Sequence, residues 1–300
     1  MPEGDTVFRS ARALDRALAG KIITRFETGY AKLARADDEH TIAGRTIERV
    51  EARGKWLLTF LSGDLILLTH MLMNGSWHIY RVGERWRRPH RDMRIVLETH
   101  DWMAVGFTIP VAEFHSARSL AGMTVLSTLG PDLLHADFDR GQALARIRAH
   151  AAEEIAVVLL NQQALAGIGN VFKSEICFAC GIHPFQRVAA LTDSQLQKIV
   201  DVSHKFLQCN VSEDTEDRTT ENTSARRTMN SLNRSARLWV YGRRGESCRR
   251  CGTTILMRKQ GAGARTTFWC PACQPVEASE DNAAVAVEGW EHRGRRSVIR

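Results

Sequence analysis

No run of apolar residues in this chain approaches the ~18 that a membrane-spanning helix needs. Acids appear near the start before any apolar stretch, so the first residues do not read as a secretory signal. No internal repeat is visible. Cysteine is sparse and odd in number: Cys177, Cys180, Cys209, Cys248, Cys251, Cys270 and Cys273. Without a signal, an odd count argues for a reducing compartment and against a disulfide framework. The expectation is a cytoplasmic protein with no membrane partner.

What is present is ordinary in amount and basic in balance. The 300 residues leave room for roughly two domains. They are 44% hydrophobic and 25% charged, the composition of a chain with a real core. Lysine and arginine number 41 against 34 acids, a net charge of +7, with a pI near 9.2. Such a chain suits an anionic partner, most often nucleic acid.

The pattern along the chain changes twice. Val7, Ala11, Leu14 and Leu18 recur at helical spacing over 6–19, with Asp5 as N-cap and Gly20 as stop. Strand-like runs follow: KWLLTFL, DLILLTH, GSWHIYRV, MRIVLET and WMAVGFT, separated by turn residues. They predict a β-sandwich closing near Gly130-Pro131. Helical patterns then occupy ARIRAHA, AAEEIAVVLL, NVFKSEICFACGI and DSQLQKIVDVSHKFLQ. The expected division is 1–130, 131–209, a flexible polar loop over 210–237, a cysteine module over 238–275, and a disordered tail over 276–300.

The cysteine module carries the most specific spacing. CRRC at 248–251 and CPAC at 270–273 give C-x2-C-x18-C-x2-C. Two such knuckles complete a thiolate tetrahedron, the geometry of one structural Zn2+. The ligands Cys248, Cys251, Cys270 and Cys273 leave no position open for catalysis. The linker between them has room for a hairpin around Gly261-Ala262-Gly263. Arg265 stands at the end of that turn, where a guanidinium suits a phosphate or is simply solvated. Cys177 and Cys180 have no second knuckle near them and read as core thiols.

In LLNQQALAGIGNVFKSE, a Gly-rich turn leads to Asn170 as N-cap of the next helix. The backbone N–H groups there offer an anion site that fits a DNA phosphate. A well-capped helix hairpin with no ligand fits equally.

PEGDT at the start, GKWLL around Lys55, LAGIGNVFKSEICF, and the final C-x2-C with ARTTFWCPACQ occur in this order. Together they resemble the Fpg/Nei family of DNA glycosylases, over residues 1 to about 275. PEGDT and the GSW stretch look more like the Nei, or endonuclease VIII, branch. The resemblance implies an α+β multidomain fold: a β-sandwich with a leading helix, a helix-two-turns-helix domain and a zinc finger. It implies base-excision repair of double-stranded DNA holding an oxidised base or an abasic site, by a nucleoid-associated monomer.

The resemblance also implies roles. Pro2 is the nucleophile if Met1 is removed, since its nitrogen is then a secondary amine that can attack the anomeric carbon. The resulting iminium drives β- and then δ-elimination. Glu3 beside it is the proton carrier, with Gly4 as hinge. Read alone, Glu3 is only an acid on a helix dipole, and Lys55 a snorkelling lysine. By resemblance Lys55 assists catalysis at the lesion phosphate, and His70, Asn170 and Arg265 contact phosphates. Flipping the nucleotide leaves a gap. Leu72 and Met73 in HMLMNGSW are the candidates to fill it.

Fpg-type chains carry Arg-Arg-Phe-Gly after the second hairpin; AVGFTIPVAEFHSA stands here instead. No second void-filling arginine is identifiable, which favours oxidised pyrimidines over 8-oxoguanine. Two other classes stay open on the residues: a non-catalytic binder of damaged DNA, and a zinc-ribbon RNA-associated protein. The latter explains the charge and the cysteines but not the start.

Overall fold

The computed structural model describes residues 2–211, 226–229 and 237–276. Met1, most of the expected flexible loop and nearly all of the expected tail lie outside the described residues.

The leading helix α1 (Gly4–Leu18) buries Val7, Ala11, Leu14 and Leu18, the stripe its spacing requires. It starts two residues before the sequence reading, because Glu3 rather than Asp5 is the N-cap. Next come β1 (Arg25–Thr28), α2 (Ala31–His40), β2 (Ile47–Arg53), β3 (Trp56–Leu61) and β4 (Leu65–His70). Then come β5 (Ser76–Arg81), β6 (Met93–Glu98), β7 (Trp102–Phe107) and β8 (Val111–His115). The strands form two four-stranded sheets, ordered β1-β6-β7-β5 and β2-β3-β4-β8, antiparallel throughout.

The near-continuous apolar runs of β3 and β4 have a cause. Leu57, Leu61, Leu65 and Leu67 face the core between the sheets. Leu58, Phe60, Ile66 and Leu68 face outward, where Leu120 of α3 (Ala117–Ala121) and Leu126 of α4 (Thr124–Ser127) cover them. A sheet buried on both faces does not alternate. Strands β1, β2 and β8 lack that apolar signature, and the sequence reading passes over them.

The helical part holds α5 (Arg140–Arg148), α6 (Ile155–Val158), α7 (Asn170–Cys180) and α8 (Asp193–Cys209) around one apolar core. AAEEIAVVLL, expected as a helix, yields the single turn α6. The backbone N–H groups of Ile155 and Ala156 are taken by Gln186 and Pro184 carbonyls, and the chain turns back at Asn161. Helix α7 is buried almost throughout. The hairpin β9 (Leu256–Gln260) and β10 (Arg265–Trp269) packs on it.

Candidate active site and metal centre

The carboxylate of Glu3 is fully buried, and it serves a helix other than its own. Its Oε1 accepts from the Val171 N–H at 2.8 Å. Its Oε2 accepts from Gly169 N–H at 2.9 Å and Phe172 N–H at 3.3 Å. The anion on the N-terminus of α7 is therefore Glu3, and those donors are not left for a phosphate. Gly169, not Asn170, is the N-cap.

Two glycines allow this approach. A Cβ on Gly169 would overlap Cγ and Cδ of Glu3. Gly4 N–H donates to the Gly167 carbonyl at 2.8 Å, and a Cβ on Gly4 would meet Gly167 Cα at 2.8 Å. Gly4 is thus the first residue of α1 and a point of close contact, not a hinge. Gly169→Ala is expected to expel Glu3, at a cost of about 1–3 kcal/mol. Thermal unfolding and strand cleavage should both register it, and an unchanged variant would contradict this packing.

Lys55 arrives at the same turn from the sandwich. It lies in the β2–β3 turn beside Gly54, whose φ is +59°. Asp132 accepts from Gly54 N–H at 2.7 Å and fixes that turn against the helical part. Lys55 Nζ donates to the Ile168 carbonyl at 2.5 Å. Gln162 donates to the same carbonyl at 3.0 Å and accepts from Gly167 N–H at 3.1 Å. Burial lowers the Lys55 pKa to about 8; Glu3 opposes this, while Arg226 and Arg265 add to it. Pro2 is buried next to Glu3 in this seam.

The expected DNA contacts rim the seam. His70 ends β4 opposite Trp56, with the rings edge-on at 4.7 Å. Its Nδ1 accepts from Leu72 N–H at 3.0 Å. Burial, then the Lys55 charge, pushes its pKa down to about 4. Leu72 and Met73 are 47% and 55% exposed at the tip of the β4–β5 turn, so the core does not claim them. Asn170 Nδ2 donates to Thr266 Oγ1 at 3.1 Å, while its buried Oδ1 has no partner. Arg265 is the exposed residue before Thr266.

Three charged residues here escaped the sequence reading. Arg226 forks onto Asp5 through Nε and Nη2, at 2.9–3.1 Å, and Nη1 lies 3.7 Å from Glu3. Lys173 donates to the Thr266 carbonyl at 3.1 Å and Thr267 Oγ1 at 2.7 Å, tying α7 to β10. Glu175 accepts from the N–H groups of Trp239, Val240 and Tyr241 at 2.8–2.9 Å and from the Thr228 hydroxyl. Charges inside the otherwise apolar run of α7 were the available signal for Lys173 and Glu175. Nothing in the polar stretch around Arg226 distinguished it.

The four knuckle sulfurs lie within 4.8 Å of one another. Cys248 and Cys273 Sγ are 3.9 Å apart, and Cys251 and Cys270 3.4 Å. Tetrahedral zinc with ~2.3 Å bonds sets sulfurs about 3.8 Å apart, so the set fits one structural Zn2+. Cys177 and Cys180 are buried core thiols, raised to about 12 by burial. Chelation is expected to remove one zinc equivalent and lower the melting temperature together. Metal analysis beside thermal unfolding checks it; an unchanged melt after zinc loss would refute a structural role.

A sandwich joined to a helix-two-turns-helix unit and a thiolate hairpin, with a buried Glu-Lys seam between them, defines the class of zinc-bearing DNA glycosylases. The Formamidopyrimidine-DNA glycosylase N-terminal domain profile matches residues 1–111, and the H2TH domain profile 129–222. The zinc finger found in FPG and IleRS matches 245–276. "Probable endonuclease 8 2" of Streptomyces coelicolor is 39% identical over 290 residues, covering 96% of this chain and 99% of that one. "DNA-(apurinic or apyrimidinic site) lyase Nei2" of Mycolicibacterium smegmatis is 37% identical over 274 residues, covering 91% and 99%. Lactococcus lactis Fpg, solved with abasic-site DNA, shares the fold at a TM-score of 0.74 and 24% identity, covering 91% of this chain and all of that one. The chain belongs to the Fpg/Nei family of DNA glycosylases and AP lyases. No helix among the described residues is long and apolar enough to cross a membrane.

Proposed function

We propose that the protein excises oxidised bases from duplex DNA through a Schiff base on Pro2 and then nicks the strand by β,δ-elimination. The observation that carries this reading is the convergence of Glu3, Gly4 and Lys55 on the Gly167–Asn170 turn, with the buried Pro2 next in the chain to Glu3. Pro2 attacks the anomeric carbon once Met1 is gone. Glu3 protonates the ring oxygen, and the base departs as the sugar opens. The iminium acidifies the neighbouring carbon, and the phosphate leaves by elimination. Lys55 and Arg265 supply positive charge to the lesion phosphates. His70, neutral and with Nδ1 occupied, offers Nε2–H. Asn170 holds the turn with its unpaired Oδ1 beside them.

Leu72 and Met73 fill the gap left by the flipped nucleotide. The β7–β8 turn supports a preference for pyrimidines. Ile109 there is fully buried, and Thr108 Oγ1 donates to the Asn74 carbonyl at 2.6 Å. That turn backs the wedge and contributes no second wedge of its own. A panel of thymine glycol, dihydrouracil, 8-oxoguanine and bare abasic duplexes, with borohydride trapping, tests the whole reading. Binding without any adduct would instead favour a non-catalytic damage binder.

The pH profile separates two groups. The Pro2 amine must be neutral to attack, and a free terminal amine titrates near ~8. That gives the rising limb of kcat/KM. Lys55 must be charged to hold phosphate, and it loses its proton above about 8. That gives the falling limb, about tenfold per pH unit. Lys55→Arg is expected to abolish only the falling limb, because guanidinium stays charged. A falling limb retained in Lys55→Arg would remove Lys55 from this role.

A further inference from the structure

We propose that the arginine loop between β5 and β6, residues 82–92, is a second phosphate-binding strip that extends the DNA footprint beyond the wedge. This rests on the reading that the protein acts on duplex DNA. The segment Arg85-Trp86-Arg87-Arg88-Pro89-His90-Arg91 holds four arginines and no acid. A basic run is often only a solvated surface, so its placement decides the matter.

The loop is pinned from inside. Trp86 is half-buried, stacks on His90 at 4.4 Å, and meets Phe107 edge-on at 5.7 Å. The Tyr80 hydroxyl accepts from Arg87 N–H at 3.1 Å. Arg88 donates to Ser76 Oγ at 3.2 Å and lies 3.5 Å from Asp92. These interactions hold the loop over Tyr80, Met103 and Phe107, on the outer face of the β1-β6-β7-β5 sheet. Trp86 and Arg88 turn inward, while Arg85, Arg87 and Arg91 remain exposed. None of those three forms an ion pair among the described residues.

The end of the loop lies beside the wedge. Thr108 N–H donates to the Asp92 carbonyl at 2.7 Å, and Thr108 Oγ1 donates to Asn74 in the wedge turn. Ser76, which Arg88 holds, opens β5 directly after that turn. One short bridge of residues thus joins the row of guanidiniums to Leu72 and Met73. A duplex parted by the wedge carries its phosphates past this row. Guanidiniums with no internal partner bind phosphate without first breaking an ion pair. His70, Asn170 and Arg265 belong instead to the proposed contacts around the lesion. The loop therefore adds grip outside the reacting nucleotide.

The test compares the wild-type chain with Arg85→Gln/Arg87→Gln/Arg91→Gln and with the same three positions changed to lysine. The probe is a duplex with a tetrahydrofuran abasic analogue, titrated across a range of salt. For every phosphate that the variant no longer neutralises, the slope of log K against log salt should flatten by about 0.9. The glutamine variant is expected to lose about two to three in slope and at least about tenfold in affinity, and the lysine variant to recover the slope. Single-turnover cleavage at saturating enzyme should stay unchanged, since none of the three touches the seam. A glutamine variant with the wild-type slope, or a lysine variant that fails to restore it, would overturn the strip. If the wild type traps on abasic DNA while the glutamine variant is unaltered, only the strip fails. If the wild type neither binds nor traps, the reading beneath it fails as well.

Discussion

A chain that keeps Met1 ahead of Pro2 is expected to form no borohydride-trapped adduct with abasic DNA. The Pro2 nitrogen would then be an amide, whose lone pair is delocalised into the carbonyl. It could not attack the anomeric carbon. Base release and nicking should both fall by at least about a thousandfold, the scale on which removing a covalent nucleophile acts. Binding should persist, because the rim residues and zinc hairpin are untouched. Pro2→Gly is the companion variant. It restores an amine, but a primary one without the ring that fixes its direction, and should lose base release more than any surface substitution. Intact-mass measurement must accompany both, to report which residue is first. Full activity in a chain shown to keep Met1 would falsify the assignment of Pro2.

Glu3→Gln should be the second large effect, and it separates chemistry from structure. Both carboxylate oxygens of Glu3 accept backbone N–H groups at the start of α7. An amide offers one acceptor and turns an N–H2 group toward a donor. Stability should therefore drop, by about 1–3 kcal/mol for the donor left unsatisfied. Loss of the proton carrier should cost a further ~10²–10⁴ in base release, measured well below the melting temperature. On a bare abasic site no base needs to leave and the aldehyde forms on its own, so nicking should suffer less. If Glu3 were a cap alone, the folded variant would release bases at the wild-type rate.

The same geometry shows why Glu3 suits the role. Its position is set from two sides: Gly4 binds the Gly167 carbonyl, and the α7 N-terminus binds the carboxylate. Arg226 and Lys55 add positive charge nearby. Pro2, the proposed nucleophile, thus sits beside a residue held by the second half of the molecule.

The cysteine spacing, the apolar strands β3 to β7 and the helices α1, α7 and α8 could all be read along the chain. Each is a local pattern: knuckles two residues apart, apolar runs between turns, a stripe at spacings of three and four. The short strands β1, β2 and β8 and the single turn α6 were not legible, because partners distant in sequence decide them. The candidate site divided in the same way. Pro2, Glu3, Lys55 and the Gly167–Asn170 turn stood out as motifs, but nothing local showed that Glu3 would occupy the very N–H groups that seemed free for a phosphate. Arg226 lies more than two hundred residues from Asp5 along the chain, and Asp132 far from Gly54. Such pairs leave no periodic trace.

The zinc hairpin, the amphipathic lead helix and the residue types proposed for the reaction can be read from spacing and residue identity, which are local properties. Which donor meets which acceptor depends on residues far apart in the chain being folded together. A buried charge must find its partner wherever the fold places one, and for Glu3 that partner is the first turn of α7.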